Sequence, residues 1–380
     1  MKNVSLFMKS PYTSPRSILL ASLLLAVLFC SKSVRSQQTV LDLRPLGVPS
    51  ATISKCAESR SIETRMPLFG ITYVGDELLL ITYKPPCTSF LNGTAQYTAL
   101  LIDHKGTQLG TLSLNGGPDQ VLQRIFNAQP SNNVLFKTGN ELSVYSLDLK
   151  TFTTTKLPEG AQLRLTPDRQ RIAVLAQSGN EAEIYTAKIG ETLGQPRHLS
   201  FDERAVRDQK LAVSNNGDVA HAVLDLDSEL GVSSQNANWP SPPQIGKFEK
   251  PLAFVTDDRL LLSIMGKQPF PSTHLYLWSR DGKIQKISGA SGADFWFSQI
   301  SVDGRRVLLT KTSSNFFVAM LGGFDCGDCG DSYSYTLIDI PSAKVIRAPK
   351  SGWKCEDALS PSGHEIAELC GDTLRFYTEP

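Results

Sequence analysis

One short phrase recurs along the chain: an apolar run, a tight turn that begins with Ser or Thr, and a second apolar run. The clearest turns begin 42 to 59 residues apart, at Thr166, Ser214, Thr256, Ser301 and Ser360. The hydroxyl at the first position can cap the turn, while Asp, Asn or Gly at the next positions tolerates the tight bend. A repeat of this length predicts an array of similar units instead of one large sheet.

Most copies of the phrase are followed by two further apolar runs with another turn between them, as in HLYLWSRDGKIQKIS and SYTLIDIPSAKVIRAP. The runs are short and rich in Val, Ile, Leu, Tyr and Phe, and none keeps a helical period for long. Four antiparallel strands in roughly 40–50 residues is the size of a propeller blade. The pattern therefore predicts an all-β fold of four-stranded antiparallel blades.

The turn phrase and the LYLWSRDGK link between a third and a fourth strand resemble the TolB-like class of WD-repeat-related β-propellers. The resemblance extends over nearly the whole chain after residue 36. It implies the fold but no single function, because such propellers serve as scaffolds, binding proteins and enzymes alike. The fourth blade departs from the pattern, since it has no clear third strand.

The blade count expected from the sequence is seven. The first strands are predicted to start near Met66, Gln120, Ala161, Lys210, Lys250, Asp294 and Trp353. The seventh blade has only three runs of its own. We expect the isolated run at 39–45 to supply its missing outer strand and to close the ring, which removes two open sheet edges. Residues 37–380 are thus predicted to form a single seven-bladed β-propeller domain, with blades from about 66 to 380.

Residues 1–36 have the pattern of a signal peptide. They contain five basic residues and no acid, and the apolar run Ile18–Phe29 leads into a segment rich in Ser. This run is shorter than the ~20 residues that a membrane-spanning helix needs. A retained N-terminal anchor is the alternative. We expect an exported protein, periplasmic or secreted, without a transmembrane span once the signal is removed.

Removal of the signal changes the net charge from +1 to −4. A mildly acidic chain has no basic surface to attract phosphate groups, so a nucleic-acid partner is not predicted.

The six remaining cysteines are an even number, which favours disulfides in an exported chain. Cys355 and Cys370 are equally distant from the turn at 361–363, so they should face each other across a hairpin and form a disulfide. Cys56–Cys87 is the next expected pair, and all six should lie at one end of the ring.

The remaining pair lies in an unusual glycine-rich segment, 322–334. It combines Cys326 and Cys329 with an acid at every third position, namely Asp325, Asp328 and Asp331. A disulfide-pinned surface loop is the simplest interpretation. A zinc or calcium site and a redox pair are the alternatives. No cofactor is predicted apart from this alternative divalent cation.

Three long insertions, 84–95, 225–250 and 316–332, are each expected between a second and a third strand. Such connections would share one face and surround one mouth of the central channel, where a rigid scaffold commonly carries its binding loops. Trp239 lies among prolines in the second insertion. It is interpreted either as an exposed recognition residue or as a lid packed on the blade beneath it.

The sequence contains no nucleophile elbow, no P-loop and no pair of histidines at metal-binding spacing. His104 and His364 are expected in turns, exposed to solvent. The sequence favours a monomeric, non-catalytic binding or scaffold protein for a protein, glycan or cell-envelope partner over an enzyme. The alternative is a lactonase-like or esterase-like hydrolase whose metal site lies at the channel mouth.

Overall fold

The computed structural model describes residues 38–50, 68–84, 95–116, 125–128, 133–138, 140–146, 151–178, 181–199, 211–222, 230–233, 239–241, 248–265, 273–292, 294–314, 331–347 and 355–378. Apart from one short 3-10 helix, Arg44–Leu46, every helix or strand in these ranges is a β-strand. The chain is therefore all-β, as expected.

The strands form antiparallel units that follow one another along the chain, which we number 1 to 7. Unit 1 contains β2 (Leu68–Val74), β3 (Leu78–Lys84), β4 (Ala95–Asp103) and β5 (Gln108–Gly116). Unit 2 contains β6 (Ile125–Ala128), β7 (Asn133–Thr138), β8 (Glu141–Ser146) and β9 (Thr151–Lys156). Unit 3 contains β10 (Gln162–Leu165), β11 (Arg171–Ser178), β12 (Glu181–Lys188) and β13 (Arg197–Leu199).

Unit 4 has three described strands, and the later units have four each. Unit 4 contains β14 (Leu211–Val213), β15 (Val219–Ala222) and β16 (Leu230–Ser233), and unit 5 contains β17 (Phe248–Thr256), β18 (Arg259–Met265), β19 (Thr273–Ser279) and β20 (Ile284–Gly292). Unit 6 contains β21 (Asp294–Ile300), β22 (Arg306–Ser314), β23 (Asp331–Asp339) and β24 (Lys344–Arg347). Unit 7 contains β25 (Cys355–Leu359), β26 (Glu365–Cys370), β27 (Thr373–Thr378) and β1 (Gln38–Asp42). A short parallel contact between β20 and β24 joins units 5 and 6 into one sheet.

The recurring turns have the geometry that their residues predict. In the turn that begins at Ser301, the hydroxyl donates a hydrogen bond to Asp303 Oδ1 at 2.6 Å and accepts one from the Arg306 N–H at 2.9 Å. Glycine at the fourth position has a positive φ, 82° at Gly217 and 70° at Gly304. Hydroxyl caps and left-handed glycines are thus the local reason why each pair of apolar runs becomes a hairpin.

The hydrophobic cores lie between units. Each cluster of buried apolar side chains in the described part of the chain combines residues of two successive units. One further cluster joins the two ends of the series, because Leu79 and Leu100 of unit 1 pack with Ala367 and Phe376 of unit 7. Sheets that pack face to face in chain order are the arrangement of a β-propeller.

The N-terminal strand lies where the sequence placed it, at the outer edge of the last sheet. β1 pairs antiparallel with β27, with Leu41 opposite Leu374, and the Leu43 N–H continues the contact with a hydrogen bond to the Asp372 carbonyl at 2.8 Å. Leu43 is fully buried in the core between units 7 and 1. The first and last strands of the described chain therefore belong to one sheet.

Two expectations about unit 4 were wrong. The unit has a third strand, β16, which the sequence did not make clear because its apolar run is only four residues long. As a result, 225–250 is not one insertion between a second and a third strand. It contains β16 and ends inside β17.

The predicted signal at 1–36 lies outside the described residues. Within the described ranges, no helix is long and apolar enough to cross a membrane.

Candidate binding face

The alternating strand direction gives the molecule two different faces. The turns that join first to second strands and third to fourth strands lie on one side, which we call the turn face. The connections from second to third strands, and from one unit to the next, lie on the other side, which we call the loop face. The strand ends that 85–94 and 315–330 join, between β3 and β4 and between β22 and β23, lie on the loop face, and these two connections themselves lie outside the described residues.

Short turns on the turn face are hydrogen bonded to the turns of neighbouring units. A backbone N–H of one turn donates to the next turn at 2.8–3.2 Å at four places: Asp168 to Asn215 Oδ1, Asn216 to Asp257 Oδ1, Val302 to the Pro361 carbonyl, and Ser362 to Asp76 Oδ1. The last of these contacts joins unit 7 to unit 1. Among the described turns, those of units 3, 4 and 5 and those of units 6, 7 and 1 are thus linked to one another.

Trp239 belongs to this turn face and not to the loop face. Its ring packs edge-on against Trp278 and Phe254, with ring centroids 5.1 and 5.7 Å apart. Its Nε1–H donates to Asp218 Oδ2 at 3.4 Å, and the Arg280 guanidinium lies 5.3 Å from its ring centroid. The buried Asp218 carboxylate and the half-buried Arg280 also form an ion pair with each other. These contacts correspond to the packed-lid interpretation of Trp239.

Charged side chains are buried at both faces of the described part of the chain. Lys84 ends β3 and is fully buried, Lys250 lies near the start of β17, and Asp357 lies in the middle of β25. Asp218 and Arg169 are buried at the turn face. A buried charge is costly unless other groups compensate for it, so these residues depend on their neighbours in the fold.

Glu356, at the start of β25, is exposed to solvent, unlike the neighbouring Asp357. The Tyr335 hydroxyl of unit 6 donates to Glu356 Oε2 at 2.9 Å. Desolvation raises the pKa of the Glu356 carboxyl above its ordinary value, and this hydrogen bond opposes the shift. Glu356 is therefore a charged group at the loop face that is accessible to solvent.

The predicted disulfide between Cys355 and Cys370 is present at the same side. The two residues are directly opposite each other in the β25–β26 register, with their Cα atoms 4.3 Å apart. Beside it, Arg375 Nη1 donates to Glu368 Oε1 at 2.7 Å and lies 3.5 Å from Cys370 Sγ. The disulfide therefore fixes the loop-face end of the last hairpin.

The same place holds the one close grouping of potential metal ligands in the described ranges, Cys355, Cys370 and Glu368. Both sulfur atoms are in the disulfide and are not thiolates, while the carboxylate is paired with Arg375. This grouping is therefore not the metal site that the glycine-rich segment suggested.

Only one residue that was singled out in the glycine-rich segment 322–334 is described. It is Asp331, the first residue of β23, which lies opposite Ser314. The other residues singled out there and the second expected disulfide lie outside the described residues: Asp325, Asp328, Cys326, Cys329, Cys56 and Cys87.

His104 differs from its expected role as a solvated turn residue. Its ring packs edge-on against Phe376 at 4.9 Å, and its Nε2 lies 3.0 Å from Glu365 Oε1. The Tyr73 hydroxyl donates to the same carboxylate oxygen at 2.7 Å. Burial and the nearby Glu365 charge raise the pKa of Tyr73 well above its ordinary value. The sequence carries no signal for this contact, since His104 and Glu365 come from the first and last units.

No family model and no curated protein match the chain. Similar solved structures include a chain of the mitotic checkpoint complex, 12% identical over 100% of this chain and 99% of that one, with a TM-score of 0.49. Hydrazine synthase of Kuenenia stuttgartiensis is 10% identical over 82% of this chain and 95% of its own, at a TM-score of 0.48. The β-propeller domain of the trilobed protease from Pyrococcus furiosus is 9% identical over 82% and 90%, at 0.49. Likeness of this degree says nothing of function, and the fold rests on the strand pairing described above.

Proposed function

We propose that this chain is an exported, closed, seven-bladed β-propeller that acts as a non-catalytic binding or scaffold protein through its loop face. Each of units 1 to 7 is one blade, and β1 completes the seventh. The turn phrase supports a likeness to the TolB-like class as part of this proposal. Export, a monomeric state and a protein, glycan or cell-envelope partner are parts of the same proposal.

The observation that carries the proposal is the difference between the two faces. The first turns of units 3, 4 and 5 and of units 6, 7 and 1 are short and hydrogen bonded to one another, so they leave little backbone free to adapt to a partner. The long connections 85–94 and 315–330 leave from the opposite face. Loops held by a rigid scaffold are where binding function is commonly found.

The charged groups of the loop face support a polar partner. Glu356, in β25 at the loop face, is an exposed residue with a desolvated carboxyl, and the Tyr335 hydroxyl donates to this carboxyl at 2.9 Å. Fixed charges in a partly desolvated site interact more strongly with a ligand than exposed charges do. Residues 223–229, between β15 and β16, replace 225–250 as the third connection of this face.

The proposal is tested by shortening the loops and measuring what the protein still captures. One variant replaces 85–94 with Asn-Gly and carries Cys56→Ser, so that no expected partner of Cys87 is left unpaired. A second variant replaces 315–330 with Asn-Gly, which suits a two-residue hairpin. Immobilised proteins are incubated with envelope and secreted extracts and, separately, with a glycan array.

We expect wild type to retain a defined partner that both loop variants lose while their circular dichroism and melting temperature stay close to wild type. The control is the Asp281→Ala/Lys283→Ala variant, which removes an exposed ion pair on the turn face. Its capture should equal that of wild type. Equal capture by the loop variants, or loss only in the turn-face variant, contradicts the proposal.

A further inference from the structure

Arg169 occupies a backbone position that glycine holds elsewhere. It is the fourth residue of the turn that begins at Thr166, and the equivalent residues of three other turns are Gly217, Gly304 and Gly363. All four have positive φ, which is 56° at Arg169. A non-glycine residue in this region is strained, and such strain is often retained where a side chain has a function.

The Arg169 side chain reaches a distant unit. Its Nη2 donates to the carbonyl oxygen of Ile300 at 2.6 Å. Arg169 belongs to unit 3 and Ile300 ends the first strand of unit 6, and units 4 and 5 lie between them in the packing order. In a ring of blades, units that are not neighbours meet only across the central channel. The guanidinium therefore lies in the channel, at the turn-face end.

This guanidinium is buried and forms few hydrogen bonds with the described residues. Arg169 is only 8% exposed. A guanidinium has five N–H donors, and the bond to Ile300 is its one hydrogen bond to the described part of the chain. Its other donors form no hydrogen bond with a described residue and keep some solvent access, so an anion can replace water at them.

The nearby charges do not compensate for this burial. Desolvation lowers the pKa of Arg169 to about 10 and outweighs the opposing effect of Asp76. The Asp76 side chain is exposed, and its Oδ1 accepts a hydrogen bond from the Ser362 N–H at 2.8 Å. Asp76 therefore belongs to the hydrogen-bonded turns at this face, and the guanidinium keeps donors that no described residue uses.

We propose that the turn-face end of the channel is a binding site for a small oxyanion, a carboxylate or a phosphate group, held by the Arg169 guanidinium. The planar fork of N–H groups matches two oxygens of such an anion and forms charge-assisted hydrogen bonds with them. The site is separate from the loop face, so it does not depend on which partner the loops bind. It does depend on the ring arrangement of the units.

The site is tested with sodium acetate and sodium phosphate as probes, each titrated against sodium chloride at constant pH and ionic strength. Binding to the folded state raises the melting temperature in a saturable manner, and calorimetric titration gives the affinity. We expect wild type to respond to at least one probe, and the two titrations show whether carboxylate or phosphate is preferred. Arg169→Gly, which places the residue of the equivalent turns at this position, should fold and lose the response.

Two further variants distinguish a specific site from a general salt effect. Arg305→Ala removes the same charge from an exposed position beside the equivalent turn of unit 6 and should bind like wild type. Arg169→Lys keeps the charge without the fork and should bind about tenfold more weakly or worse, which corresponds to the loss of one charge-assisted hydrogen bond. If Arg169→Gly does not fold, the comparison of Arg169→Lys with wild type tests the proposal instead.

The proposal is overturned if wild type shows no saturable response to either anion. It is also overturned if a folded Arg169→Gly responds as wild type does, or if Arg305→Ala loses the response to the same extent. These outcomes are independent of the loop-face capture experiment, which uses neither probe and neither arginine.

Discussion

Single residues at the recurring turns determine how closely neighbouring units approach. Gly304 has a φ of 70°, and a Cβ atom at this position would lie 1.9 Å from the Val255 carbonyl oxygen of the preceding unit. Gly217 has a similar φ of 82°, but a Cβ atom there would have nothing within 4 Å. Substitutions at the two positions can therefore distinguish the cost of an unfavourable φ from the cost of a steric clash.

We predict that Gly304→Ala lowers the free energy of unfolding by more than Gly217→Ala does. Gly217→Ala should cost about 1 kcal/mol for the unfavourable φ. Gly304→Ala should cost a further ~1–3 kcal/mol, because units 5 and 6 must move apart to admit the methyl group. Urea denaturation followed by circular dichroism measures both variants. Equal losses would mean that the two units separate without cost.

At the scale of the element, the last hairpin is stabilised by its covalent cross-link. The Cys355–Cys370 disulfide joins directly opposed residues at the loop-face ends of β25 and β26, with a sequence separation of 15. A loop of this size is short, so the chain-entropy model limits the stabilisation to about 3 kcal/mol.

We predict that the Cys355→Ser/Cys370→Ser variant folds but unfolds at lower urea concentration, with a loss of no more than about 3 kcal/mol. Peptide mapping without reduction should show the linked peptides in wild type only. Mild reduction should destabilise wild type and leave the variant less affected. A map that links Cys355 to Cys87 would contradict the hairpin register.

At the scale of the whole molecule, β1 is the connection between the two ends of the chain. It pairs with β27, and Leu43 after it is buried between units 7 and 1. Without β1, the edge of β27 would be left with unpaired backbone groups, and open edges promote aggregation.

We predict that a chain lacking residues 38–46 melts at lower temperature and aggregates more readily than wild type. A synthetic peptide of residues 38–46, added in excess, should restore part of the loss because it rebuilds the strand in the same register. The same peptide with Leu41→Pro and Leu43→Asp is the control and should have no effect. A truncated chain as stable as wild type would show that β1 does not hold the ends together.

The features that the sequence predicted are those decided by neighbours along the chain. Hairpins follow from apolar runs separated by capped turns, and this local chemistry placed the first strands of the units close to where they begin. The same locality explains the success with Cys355 and Cys370, since residues equidistant from a turn must face each other. β1 was also predictable, because the last unit lacked one strand and 39–45 had no unit of its own.

Only the tertiary structure decided which side chains meet between units. Trp239 lies on the turn face because Asp218 and Arg280 hold it there, and neither residue is near it in the sequence. His104 meets Glu365, and Arg169 meets Ile300, only after successive sheets pack in order around a common axis. Strand period and turn chemistry act over a few residues. Contacts between distant units depend on the angle and distance between packed sheets, which no local pattern encodes.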